Sequence, residues 1–510
     1  MTTWTWLGSH GARGGLLAAL LLGGIFPCSA QTDSGAAGSS GGNWQDAALL
    51  ALEMELEGLR ADGLDPEHYH LSAIREHRRG ARPPQNRVDL DRLATDAFVR
   101  AIAELAGGRV RNAPDRALAP GPPPPSPPSL TGRITAYEVR RAFAEARPDH
   151  FVYRGLVEAL ADLRSAASRG GWPVVPDGPL LRPDSVDTRV PVLRARLSAE
   201  GYDVGEGSGS LYDPALESTV RAFQHRHSLN EDGVVGPATL RELNVPVQAR
   251  IDQVRVNLER ARWVVRGLPE TFVAVNVAGQ RVYLVRDGDV VFETRAIVGR
   301  TATRTPIFRA TLAYVELNPT WTVPRGIVHE VLSRARADPG YLAREGIRML
   351  DGGGRPVDPA GVELDRYTAS TFPWVLQQIP GPRNALGRLK FVFPNPYDVY
   401  LHDTPARQLF GEEERTFSHG CIRVQDPVGL AALILAGDGW GRERLEDAIE
   451  TGERRRLYLG GPMPVLVLYW TASADLHGEL HFYRDIYGRD EGILRALESP
   501  ASPSTRGSAS

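Results

Sequence analysis

The chain has 510 residues, 42% hydrophobic and 24% charged, with 59 basic against 62 acidic side chains. That length accommodates about two to four domains with ample core, and the near balance of charge excludes a global pull toward nucleic acid or anionic membrane. There are two cysteines, Cys28 and Cys421, so a disulfide framework is excluded as well.

At the N-terminus, Arg13 precedes an apolar run over residues 16–26, and Cys28-Ser29-Ala30 supplies small residues ahead of Gln31. This is the pattern of a secretory signal peptide over 1–30, too short for a comfortable membrane span. Phe26-Pro27 fits a lipid-attachment box at Cys28 poorly. A retained leader is the one membrane tether this pattern allows, since no other segment approaches ~18 consecutive apolar residues. Cleavage would leave Cys421 as the lone thiol of an exported protein.

Residues 31–43 are rich in Gly, Ser and Ala and read as a flexible linker. From Trp44 the apolar spacing turns helical. Gly63-Leu64-Asp65-Pro66 marks a turn, with Asp65 capping and Pro66 in the first turn of the next helix. Further helices are expected over 93–106 and 153–167, with a proline-rich connector at 121–128. Residues 44–170 thus form a helical scaffold, and its histidines His68, His70 and His77 carry no recognisable chemistry.

Residues 184–245 predict a bundle of three short helices with Leu193, Leu197, Val220, Phe223 and Leu240 in its core, and Gly233 and Gly236 in the turn before the last helix. The stretch "VRAFQHRHSLNEDGVVGPATLRELN" resembles the peptidoglycan-binding domain appended to cell-wall enzymes. The alternative is a helical spacer that keeps this fold without its ligand. His225 and His227 lack a third metal ligand at suitable spacing.

After an amphipathic helix over 250–265, the period changes to that of strands. Segments 272–277, 282–285, 290–292, 295–298 and 312–317, separated by Gly and Asp turns, predict a β-sandwich or barrel-like domain spanning 250–490. An insertion at 326–371, with a helix over 327–337 and a polar loop around Gly352-Gly353-Gly354, is placed as a lid. Strands resume at 389–393 and 399–401. A helix over 426–436 and a short one over 445–449 follow. Late strands at 465–470 and 480–482 are expected to return to the same sheet. Residues 491–510 are expected to be a disordered tail.

The chemistry concentrates in Tyr400-Leu401-His402-Asp403-Thr404-Pro405 and Ser418-His419-Gly420-Cys421-Ile422-Arg423. Cysteine catalysis needs a base within reach, a group orienting that base, and donors for an oxyanion. His402 and Cys421 lie 19 residues apart, so the fold must pair them. A metal site of His402, His419 and Cys421 lacks a fourth ligand or an open-site carboxylate.

A His followed, after fifteen intervening residues, by Ser-His-Gly-Cys resembles the signature of the L,D-transpeptidase (YkuD-type) catalytic domain. "IVGRTATRTPIF", "NPTWTVPRGI", "IPGPRNALGRLKFVFPNPYDVYLHDTP", "SHGCIRVQDP" and "LYWTASADLHGELHFYRDIYGRD" resemble successive blocks of its large, multidomain, periplasmic Gram-negative subgroup. "DGLDPEHYHL" and "ATDAFVRAIAELAGGRV" resemble that subgroup's helical scaffold. The resemblance implies a multidomain α+β architecture: a mainly β catalytic domain with a lid, a three-helix wall-binding domain and an N-terminal helical scaffold.

It further implies Cys421 as nucleophile and His402 as base, oriented by the Asp403 backbone carbonyl. His419, Gly420 and Tyr400 would line the oxyanion site, Ser418 would shape the loop, and Arg423 would bind a substrate carboxylate. Gln377-Gln378 departs from an expected Arg-Gln. The implied reaction transfers the third residue of a tetrapeptide stem from D-Ala to a second stem's side-chain amine, giving a 3→3 cross-link. No cofactor or metal is needed, carbapenem-type β-lactams would acylate Cys421, and the place of action is the periplasm. Peptidoglycan stems are the implied partners, with cell-wall synthesis machinery as a further one. Two alternatives remain open: hydrolytic release of wall-linked peptides or lipoprotein, and a wall-binding scaffold without activity.

Overall fold

The computed structural model describes residues 44–79, 85–118, 134–207 and 209–500. The leader, the 31–43 linker and the proline-rich connector lie outside these residues. No helix among the described residues is long and apolar enough to cross a membrane.

The N-terminal region consists of α1 (Asp46–Gly58), α2 (Leu71–Arg79), α3 (Gln85–Gly107) and α4 (Ala136–Ala146). Asp65 accepts a hydrogen bond from Glu67 N–H and caps a short 3-10 turn that starts at Pro66, as the Asp-Pro pair predicts. Helix α4, which apolar spacing alone did not single out, opens on a capping box between Thr135 and Glu138. The next helix, α5 (Phe151–Ser168), departs from the expected scaffold unit. Val152, Leu156, Leu160 and Leu163 share a hydrophobic cluster with later parts of the chain rather than with α1–α4.

The three-helix region has α6 (Val190–Ala199), α7 (Pro214–Arg226) and α8 (Pro237–Leu243). Leu193, Leu197, Val220 and Phe223 are fully buried in its core, joined by Tyr212 and Leu216. Leu240 is only partly buried at the edge of this cluster. His227 stacks on Phe223, with ring centroids 3.9 Å apart, and its Nδ1 bonds to the Phe223 carbonyl.

Helix α9 (Val247–Val264) reads as amphipathic, yet both of its faces are covered. Its apolar side packs with α5, and its charged side is buried in ion pairs. Arg260 binds Asp115 at 3.0 Å and Asp490 at 2.6 Å, and Arg262 binds Glu259 at 2.9 Å. Periodicity shows that a face is polar but not whether another element covers it.

The β-rich region is built on strands β1 (Phe272–Asn276), β2 (Arg281–Arg286), β3 (Asp289–Gly299), β4 (Phe308–Leu317) and β5 (Trp321–Thr322). There follow β6 (Ile347–Leu350), β7 (Pro356–Val357), β8 (Val375–Gln378), β9 (Leu389–Val392) and β10 (Leu401–His402). The last are β11 (Thr416–Ser418), β12 (Ile422–Val424), β13 (Arg455–Leu468), β14 (Ala472–Ala474) and β15 (Leu480–Phe482). The two strands expected at 290–292 and 295–298 are one continuous β3.

The main sheet runs β11-β3-β12-β10-β9-β4-β13-β1-β2, and a β2–β3 pairing closes the strands from β3 round to β2 into a barrel, with β11 a short spur on the end of β3. Closure removes the open edges that a sandwich would leave. The expectation that 480–482 rejoins this sheet is not met. β15 pairs only with β14 in a separate hairpin, whose Ala472 and Phe482 pack on α5 and α9.

The insertion is a small folded unit rather than a helix plus a polar loop. It holds α10 (Val328–Ala337), α11 (Tyr341–Arg344) and a sheet of order β5-β8-β6-β7. Val331, Leu332, Met349, Phe372 and Leu376 give it its own core. The glycines at 352–354 only turn β6 into β7.

After the loop that carries Cys421 come α12 (Pro427–Ile434) and α13 (Arg442–Glu450). The tail expected to be disordered from residue 491 instead begins with α14 (Asp490–Glu498), which buries Ile493 and Leu497. The Asp490 ion pair to α9 and these two apolar residues hold it in place.

Candidate active site

Strand alternation collects the chemistry on one face. Leu389, Phe391, Leu401 and Ile422 are buried in the barrel core, so Lys390, Tyr400, His402, Cys421 and Arg423 face the opposite way. Strands β10 and β12 run parallel, with Leu401 opposite Ile422 and His402 opposite Arg423. The Tyr400 carbonyl accepts from Ile422 N–H at 3.1 Å. The separation between His402 and Cys421 in sequence thereby becomes a diagonal step between neighbouring strands.

His402 is buried, at 5% exposure. Its Nδ1 lies 2.5 Å from the Asp403 backbone carbonyl. A carbonyl can only accept, so Nδ1 carries the proton and Nε2 keeps its lone pair. Burial, reinforced by the nearby Arg423 and Lys390 charges, holds the imidazole pKa down to about 3 against the opposing bond to Asp403. The Asp403 carboxylate is anchored separately, accepting from Arg388 N–H at 2.9 Å. Gly387 makes this possible: its φ is +61°, and a Cβ there would stand 2.4 Å from Asp403 Cγ.

The Cys421 thiol lies 3.7 Å from the Asp398 carbonyl. Burial pushes its pKa up, opposed by the N–H and hydroxyl of Tyr400 and by the charges of Lys390 and Arg423. The resting pair is therefore a neutral thiol beside a neutral imidazole. A thiolate near neutral pH would need a base to take the thiol proton.

Ser418 closes the catalytic turn, its Oγ donating to the Cys421 carbonyl at 2.5 Å and accepting from Gly420 N–H at 3.0 Å. Gly420 has φ +117°, a conformation L side chains rarely adopt. Around the turn runs a strap that residue patterns did not reveal. Thr303 and Thr305 donate through their hydroxyls to the carbonyls of Ser418 (3.1 Å) and Gly420 (2.9 Å). The Tyr487 hydroxyl donates to the Gly299 carbonyl at 2.6 Å. All three lie in quoted sequence blocks, but hydroxyl-to-carbonyl bonds across such distances leave no local signal.

His419 points to the lid, its Nε2 lying 2.9 Å from Glu330 Oε1 on α10. Burial, and then Cys421, push the Tyr400 hydroxyl pKa well up, while the Trp321 side chain at the root of the lid opposes this. Arg423 makes no ion pair with any described residue, and its buried Nε has no acceptor. An unpaired guanidinium here is available to an anionic group. At the departure noted in sequence, Gln377 accepts from Arg348 Nη2 at 2.8 Å, so the lid strand β6 supplies an arginine beside it.

Two other features lie away from these residues. A cleft of about 460 Å³ is lined by Trp172, Glu200, Tyr202, Arg226, Glu479 and Phe482, between α5, the three-helix region and the β14–β15 turn. Asp475, Glu479 and His481 bring three ligand atoms within 4.8 Å of one another. Asp475 already accepts from the N–H groups of His477 and Glu479, and Glu479 pairs with Arg226.

Three stretches of the chain match known family models. Residues 270–445 match the family model of the L,D-transpeptidase catalytic domain, residues 40–160 that of a Scaffold domain, and residues 187–243 that described as "Putative peptidoglycan binding domain". A curated protein of Haemophilus influenzae, described as "Putative L,D-transpeptidase", is 34% identical over 222 residues. That match covers 43% of this chain and 45% of the relative, so the chain matches under half of the relative's length. Among solved structures, the catalytic domain of an Enterococcus faecium L,D-transpeptidase acylated by ertapenem aligns with 15% identity over 39% of this chain and 98% of its own, at a TM-score of 0.20. An L,D-transpeptidase from Xylanimonas cellulosilytica aligns with 18% identity over 57% of this chain and 98% of its own, at a TM-score of 0.19.

Proposed function

We propose, from the match of residues 270–445 to the L,D-transpeptidase catalytic-domain model, that the protein is a peptidoglycan L,D-transpeptidase of the periplasm, with Cys421 as its acyl carrier. The observation that carries the reading is the His402–Asp403 bond, which leaves Nε2 of a neutral imidazole as base on the face that bears Cys421. His402 takes the thiol proton as Sγ attacks the carbonyl of the third residue of a tetrapeptide stem. Cys421 N–H and the Tyr400 hydroxyl stabilise the oxyanion. His402 then passes the proton to the departing D-Ala amine, leaving a thioester. In the second half His402 accepts a proton from the diamino-acid amine of another stem, that nitrogen takes the acyl group, and the thiol is regenerated.

Arg423 receives a stem carboxylate, and the lid covers the donor. Export follows from the leader-like N-terminus. The 187–243 domain, matched to a wall-binding model, holds the enzyme on its polymeric substrate.

Incubation of the full chain with tetrapeptide muropeptides tests the reading. The wild type releases D-Ala and forms cross-linked dimers, and Cys421→Ala forms none. Product formation undiminished in Cys421→Ala would overturn the assignment. Monomeric tripeptide as the sole cysteine-dependent product would show water as the acceptor instead.

A further inference from the structure

Only one lysine occurs in this chain, Lys390, against 58 arginines. It stands in a rank of side chains that crosses five neighbouring strands. Arg456 on β13 is opposite Glu316 on β4, Glu316 is opposite Lys390 on β9, Lys390 is opposite His402 on β10, and His402 is opposite Arg423 on β12. Glu316 is the carboxylate of this rank, and it is committed elsewhere, pairing with Arg454 at 2.6 Å and Arg456 at 3.2 Å. Lys390 makes no ion pair with any described residue. Its ammonium lies instead over the Tyr400 ring, 3.8 Å from the centroid. The Tyr400 hydroxyl and N–H in turn bear on Cys421 Sγ.

We propose that Lys390 is a positioning residue for the acyl transfer, its ammonium fixing and polarising Tyr400 so that the phenol donates more strongly to the anionic sulfur and oxyanion. A cation on the face of a phenol withdraws electron density and strengthens its O–H as a donor, and in a partly buried site the effect is weakly screened. The charge also acts on Cys421 directly, lowering the thiol pKa. A compact ammonium suits the place. A guanidinium is planar and forked, matched to bidentate acceptors, and the neighbouring Glu316 carboxylate is already paired with Arg454 and Arg456. Burial chiefly lowers the affinity of Lys390 for its proton, Glu316 on β4 and Cys421 oppose this, and Arg454 and Arg456 flanking on the β13 side act with burial.

The inference rests on Cys421 being the acyl carrier, yet thiol titration tests it separately from turnover. Alkylation of Cys421 by iodoacetamide in the full chain, followed by mass spectrometry across pH, is compared among wild type, Lys390→Met, Lys390→Arg and Tyr400→Phe. In Lys390→Met the pH of half-maximal rate should move up by about one unit, a tenfold slower reaction at fixed pH. Lys390→Arg should recover most of that shift. In the Tyr400→Phe background, Lys390→Met should add little, because the two act as one unit. A Lys390→Met profile superposable on wild type would overturn the proposal, as would fully additive effects of the two substitutions. If Lys390→Met does not fold, as judged by circular dichroism, Lys390→Gln takes its place under the same criteria. Loss of muropeptide turnover with an unshifted thiol profile would count against Lys390 while leaving the transpeptidase reading intact.

Discussion

The base role proposed for His402 rests on the commitment of one ring nitrogen, which leaves the other its lone pair. One is spent on a backbone carbonyl that no titration can remove, and the ring is buried beside cations. The sign of the pH dependence follows. Its pKa is depressed from the ordinary 6.5 to about 3, so the base is neutral and competent down to about pH 4. The acid limb of kcat/KM should therefore be missing near pH 6.5 and appear only as pH approaches 3. At the alkaline side the raised thiol pKa means that alkylation of Cys421 should keep climbing past pH 9 instead of reaching a plateau near neutrality. A bell-shaped profile with an inflection at about 6.5 would show a thiolate–imidazolium pair at rest and contradict this account. Among single residues, the types at Cys421, His402 and Gly420 were legible because a turn carrying Ser-His-Gly-Cys is local chemistry. Thr303, Thr305 and Tyr487 were not, since each acts through one hydroxyl on a carbonyl far away in the chain. Lys390 was countable from the start, but its meaning needed the strand register.

At the scale of elements, the lid is a folded unit with its own core, attached at β5 and β8. A unit with its own core moves as a body, so single contacts at its margin control its opening. The Glu330–His419 bond joins α10 to the catalytic turn, and both partners are half-buried. Glu330→Ala should loosen the lid without unfolding it. Hydrogen exchange in α10 should quicken, and Cys421 alkylation should accelerate about two- to fivefold, the change expected for loss of a marginal, solvent-screened contact of roughly 0.5–1 kcal/mol. Unchanged exchange in α10 would show that the apolar packing of Val328 and Val331 holds the lid, not the latch. Sequence periodicity found α10 but took the remainder for a loop, because β6, β7 and β8 are too short for alternation to declare itself.

For the whole molecule, α9 is the axle. It touches the scaffold, α5, the β14–β15 hairpin and α14, and it does so partly through charge. Arg260 is 1% exposed and binds Asp115 and Asp490, and Arg489 also binds Asp115 at 2.6 Å. Arg260→Ala leaves two buried carboxylates short of a partner and should cost about 3–5 kcal/mol, read as a lowered midpoint in urea unfolding. Asp490 is held above the ordinary carboxylate range, chiefly by burial, so it takes up a proton readily once the guanidinium is gone. A midpoint within error of wild type would show that α9 is held by its apolar contacts alone. The core of α1–α4 is continuous with the barrel core, so scaffold and catalytic region are expected to unfold together.

Apolar periodicity and turn signals were enough to read helical units ahead of a β-rich region, and one compact motif was enough to single out a cysteine-centred candidate site, because each of those signals is carried by residues close in sequence. The diagonal pairing of His402 with Cys421, the burial of the polar face of α9, the separate β14–β15 hairpin and the ordered start of the C-terminal tail came only with the tertiary structure. Each depends on which distant element covers a given face, and solvent exposure is a property of the assembled fold, not of any local stretch of chain.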